Sequence, residues 1–102
     1  MLLKIFFKNL VIISTVWIFN GCKASFPSGV FSSQELAEAW ILQNQLTGIL
    51  TEYPVDAGVF DWAVENGYFS PKRPEHHEAG FIQGFTSAVQ AHAHYENGVR
   101  AS

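Results

Sequence analysis

An α+β fold, a small mostly antiparallel sheet of about four strands with two or three helices on one face, follows from three features of this 102-residue sequence. Segments with strand and helix periodicity are interspersed along the chain, the first two strand candidates are joined by a short turn, and the clearest of these segments are apolar on one side only. A chain of this length that is 48% hydrophobic can bury one core but not two. Nine Phe, three Trp and three Tyr favour a compact core, because large rings bury much area at small entropic cost.

The chain opens MLLKIFFK, two lysines in an apolar background, and residues 10–19 continue as a mostly apolar run. A basic start followed by about ten apolar residues has the form of a signal peptide. Lys8, Asn9, Ser14 and Thr15 interrupt it too often for a membrane-spanning helix. Its β-branched residues, Val11, Ile12, Ile13, Thr15, Val16 and Ile18, favour a strand instead. Cys22 follows directly, so two fates compete. Cleavage ahead of Cys22 and lipidation there would export or tether the protein through residues 1–22. A retained strand favours the cytoplasm, with residues 1–14 then either the product of an upstream start codon or an anchor that leaves the strand intact. Phe19 and Asn20 are unusual ahead of a lipidated cysteine, and the retained strand is the favoured reading.

From Ala24 the pattern is that of a globular domain. Pro27 and Gly29 mark a turn into Val30-Phe31. Ser32 and Glu35 have capping-box spacing, Phe31 and Leu36 stand where a hydrophobic staple would pair them, and Leu36, Ala37, Trp40 and Ile41 recur at helical intervals. This predicts a helix over residues 33–46 that leaves Gln34, Glu38 and Gln45 to water. Residues 48–53 alternate as a strand and stop at Pro54. Asp56 can cap a short helix carrying Val59, Phe60, Ala63 and Val64, ended by Asn66-Gly67. Pro71 and Pro74 make residues 68–77 a loop, and a third short helix over residues 79–85 turns Phe81, Ile82 and Phe85 inward. Residues 87–96 alternate with period two, Val89, Ala91, Ala93 and Tyr95 against Gln90, His92, His94 and Glu96, and Asn97-Gly98 ends them.

The stretches VWIFNG, FPSGVFSSQELAEAWI, LTGILTEYPVDAGVFDWAVENGYF, FIQGF and HYENG together resemble a family of small bacterial proteins, domain of unknown function 7710. The likeness runs over about residues 15–98. It implies a compact single domain that begins with the strand VWIFNG, with residues 1–14 as a hydrophobic extension and 99–102 as a tail. It implies no activity, since the family has none assigned. This chain departs from the family in that extension and in carrying Asn20 where members often have His.

The composition bounds the chemistry. A formal charge of −3 and six scattered basic residues exclude a nucleic-acid partner, which needs clustered Lys and Arg. One cysteine allows no internal disulfide and no Cys-rich zinc site. Lys23, beside Cys22, falls on the opposite side of an extended strand and so does not activate the thiol. His92 and His94, two apart on a strand, project to one side and can offer two imidazoles to a zinc ion, with His76 and His77 as further donors. Two imidazoles are fewer than a zinc site needs, and both residues are better explained as the polar face of a half-covered strand, beside Gln90 and Glu96. Asp56, Asp61 and Glu65 are better read as a cap and a solvated helix stripe than as an acid–base pair. Trp17, Trp40 and Trp62 fall at core positions.

No set of catalytic residues is complete in the sequence. The expectation is a non-catalytic binding module with a protein partner and no cofactor. The alternatives are a metal-binding protein using His92 and His94, and a membrane-tethered lipoprotein modified at Cys22.

Overall fold

Seven β-branched, aromatic and small residues, Thr15–Gly21, form the strand β1, which lies inside the sheet with neighbours on both sides. The computed structural model describes residues 14–101, so residues 1–13 of the apolar extension lie outside the described part. β1 pairs antiparallel with β2, Gly29–Phe31, and along its whole length with β3, Gly48–Pro54. β3 pairs with β4, His92–Glu96, and β4 with β5, Val99–Ala101. The sheet is five-stranded and antiparallel throughout, in the order β2-β1-β3-β4-β5. The fifth strand lies beyond Gly98, where the sequence reading ends the domain. Asn97 (φ 52°) and Gly98 (φ 89°) both take the left-handed conformation, and together they make a two-residue hairpin turn rather than a terminus.

The helix α1, Gln34–Asn44, covers one face of the sheet. Ala37 and Ile41 on α1 meet Phe19, Leu50, Ala93 and Tyr95 from the three inner strands, with Trp17, Phe31, Trp40 and Leu46 packed around them. Phe19, Ile41 and Leu50 are fully buried, each worth about 2–3 kcal/mol of apolar burial. The helix starts one residue later than its sequence suggests. Ser33, not Ser32, is the cap, and its Oγ accepts from the Leu36 N–H at 3.2 Å. That register places Leu36 at the third helical position, so no glutamate closes a capping box, and Leu36 is 58% exposed rather than stapled to Phe31. Gln45 ends the helix in the left-handed conformation (φ 53°), a turn earlier than Gly48.

Gly48 is needed where it stands. A Cβ there would come within 2.4 Å of the Asn20 carbonyl oxygen and 2.7 Å of the Phe19 ring. Opposite Gly21 in the register, it lets β1 and β3 approach beneath the aromatic core.

A second cluster forms from the chain between β3 and β4. The helix α2, Val59–Glu65, is capped by Gly58 instead of Asp56, which takes φ 64° in the preceding turn. Residues 68–77 hold a short 3-10 helical turn, Pro74–His77, within the expected loop. The helix α3, Ala79–Gln83, follows. Phe60, Phe69, Phe81, Phe85 and the His76 ring pack edge-on, tilted and, for Phe69 and Phe81, stacked, with centres 4.8 to 6.1 Å apart. Ile82, expected to face inward with them, is 39% exposed.

Candidate functional site

Alternation along the strands sends the side chains opposite to the core onto the other face of the sheet. The register aligns them in rows. Val30, Ile18, Thr51 and His92 face one another across β2, β1, β3 and β4, and Asn20, Ile49, His94 and Ala101 form the next row across β1, β3, β4 and β5. Glu96 and Val99 pair on the same side beyond them. Ile49 is 40% exposed, Val30 63% and Val99 61%, and Asn20, His92, His94 and Glu96 are exposed as well. The face is therefore a mixed surface of aliphatic side chains and imidazoles, presented by the paired strands of the sheet.

At one end of this face lies an open concavity of about 480 Å³, into which Asn20, Cys22, Lys23, Ile49, His94 and Glu96 border. Cys22 and Lys23 belong to the turn after β1, with Lys23 at φ 66°, and both border the same hollow. The expectation that strand geometry separates them fails because β1 stops at Gly21. The Cys22 thiol is free and exposed.

The two expected imidazoles do share one side. The His92 and His94 ring centres are 5.5 Å apart with planes at 76°. The His92 Nδ1–H donates to the Gln90 carbonyl oxygen at 2.8 Å. A carbonyl can only accept, so in the neutral ring the lone pair lies on Nε2. Gln90 is not on the polar face with them, as the period-two pattern suggests. It is 94% buried, and its side-chain Nε2 donates to the Glu52 carbonyl oxygen at 3.0 Å. The alternation from Ser87 to Ala91 belongs to a turn that only looks like a strand; Val89 is exposed and only His92–Glu96 enter the sheet. His76 is held elsewhere, its Nδ1 accepting from the N–H groups of Lys72 at 3.1 Å and Arg73 at 3.4 Å. Among the described residues no group of three or more His, Cys, Asp or Glu side chains could hold a metal ion. Asp61 and Glu65 are both exposed on α2.

On the opposite face, sequence reasoning misses a polar trio. Glu38, expected to point to water, accepts from the Tyr95 hydroxyl and from Arg100 Nη2 at 2.7 Å. Gln34 Nε2 reaches the same carboxylate oxygen at 3.5 Å. The Tyr95 and Arg100 donors hold the Glu38 carboxyl below its ordinary range, whereas burial, then the Glu38 acceptor, pushes the Tyr95 phenol up. No local signal announces the trio, because Glu38 and Arg100 are separated by most of the domain and meet only when β5 joins the sheet.

Among the described residues no helix is long and apolar enough to cross a membrane. No curated protein and no solved structure matches the chain. A family's sequence model does match, over residues 16–101, beginning inside β1 and running to the last residue of β5. The chain therefore belongs to the family described as Domain of unknown function (DUF7710).

Proposed function

We propose that this domain is a non-catalytic binding module that engages a protein partner through the open face of its sheet. The observation that carries the reading is the exposure of Val30, Ile49 and Val99 on that face, aliphatic side chains at positions where a sheet covered on both sides would bury them. β-strands present such side chains at fixed spacing, so a partner meets a surface that pays little ordering entropy on binding.

In the same reading β1 stays in the working molecule. Cleavage ahead of Cys22 would take away the strand that joins β2 to β3 and, with it, fully buried Phe19. A retained β1 favours the cytoplasm over export and argues against lipidation at Cys22.

A photo-crosslinking side chain placed at Ile49, compared with one at exposed Gln43 on α1, tests the reading in cells of the native host. The expected result is one discrete adduct from position 49, none from position 43, and loss of the adduct on competition with unlabelled protein but not with an Ile49→Glu variant. Equal labelling from both positions, or none from position 49, contradicts it.

A further inference from the structure

His92 and His94 are more than a polar stripe. A histidine that ligates a metal through one ring nitrogen nearly always donates the other N–H to a carbonyl or carboxylate, which fixes its tautomer and aim. His92 already has that arrangement, with Nδ1–H on the Gln90 carbonyl and Nε2 left as the donor atom. The carbonyl is itself anchored, since Gln90 is buried and tied through its side chain to the Glu52 backbone of β3. The neighbouring ring is in range. An ion bound at about 2.0–2.1 Å to one nitrogen of each imidazole lies roughly 3.2 Å from each ring centre, so two rings sharing it have centres roughly 4.5–6 Å apart. The His92 and His94 centres are 5.5 Å apart.

We propose that His92 and His94 form an open chelating site for a first-row divalent metal ion of the imidazole-preferring class. The protein supplies two nitrogen donors, and water fills the remaining positions. Thr51 and Ile49, directly opposite on β3, flank the pair without supplying a third strong ligand. A site with two protein donors and the rest open exchanges its ion, unlike the closed four-ligand sites that hold structural zinc. Affinity follows the order for nitrogen donors, Cu²⁺ tightest, with Ni²⁺ and Zn²⁺ below it. This inference stands independently of the protein-partner reading, because it needs only the two rings and their anchor.

Ni²⁺ is the probe of choice, being paramagnetic and inert toward the Cys22 thiol as an oxidant. In a titration of the full chain followed by NMR, substoichiometric Ni²⁺ is expected to broaden the His92 and His94 ring signals first, with the amides of Thr51 and Ile49 close behind. Added Zn²⁺ restores the signals by displacement. Each of His92→Ala and His94→Ala is expected to weaken Ni²⁺ binding at least about tenfold, because the second donor of a chelate acts at high effective concentration. A His76→Ala, His77→Ala double variant and a Cys22→Ser variant are expected to bind as the parent does. Both histidines are exposed on the strand, and retained amide dispersion confirms that the variants fold. Broadening centred on His76, His77 or Cys22, or single His92 and His94 variants that bind as tightly as the parent, overturns the proposal.

Discussion

The Tyr95 hydroxyl donates to the Glu38 carboxylate, joining β4 to α1 across the covered face of the sheet. Arg100 on β5 donates to the same oxygen, so one carboxylate gathers a helix and both strands of the terminal hairpin. The Tyr95 ring is buried in the core and only its hydroxyl reaches the polar edge, which fixes the height at which α1 sits on the sheet.

Removing that hydroxyl separates its role from the packing of the ring. Tyr95→Phe is expected to lower stability by about 1–2 kcal/mol, the range for a hydrogen bond to a charged acceptor at a partly exposed site. Urea unfolding measures it, with an unchanged slope showing that the ring still packs. Arg100→Ala is expected to cost less, since its guanidinium is largely in water.

The same contact makes stability depend on pH in a set direction. Glu38 titrates below its ordinary value of 4.5 because Tyr95, then Arg100, donate to its ionised form. Its contribution is therefore complete above that value and is lost as pH falls through the lower folded-state value. Tyr95 moves the other way: burial, then Glu38, raises it above 10.0, so its contribution is complete below that value and fades as pH rises past it. Urea midpoints of the parent and a Glu38→Gln variant are expected to differ by a constant amount from about pH 5 to 8 and to converge in acid.

Gly48→Ala tests the close approach of β1 and β3. The added methyl meets backbone at Asn20 as well as the Phe19 ring, so no rotamer change relieves it. A loss of about 2–3 kcal/mol is expected from such overpacking, read as a lower melting temperature. Gly67→Ala is an informative contrast. Its Cβ meets nothing, but Gly67 lies at φ 76°, so only the conformational penalty remains.

The elements visible in the sequence are those whose signals are local. The periodicity of Ala37 and Ile41 and the alternation of Gly48–Pro54 and His92–Glu96 each appear within a few residues, and each element is present. What the sequence hides depends on tertiary neighbours. Ser32 and Ser33 both satisfy a cap pattern, and the packing of Ala37 and Ile41 on Phe19 decides between them. Gln90 continues the polar alternation but is buried, its side chain donating to the Glu52 carbonyl of β3. Asn97-Gly98 is a strong hairpin signal, obscured because only four residues follow it. Of the candidate site, the shared side of His92 and His94 is legible in their spacing, whereas the Gln90 carbonyl that fixes the His92 tautomer is not.

The position of β1 bears the most weight. If the segment ahead of Cys22 is an integral inner strand, a chain that begins at Cys22 loses the strand between β2 and β3 and exposes the side of the core that Phe19 fills. Thermal unfolding of that shortened chain beside the full one measures this directly. The expected result is no cooperative transition and no dispersed amide spectrum. A shortened chain that melts cooperatively at the temperature of the full one would contradict the account.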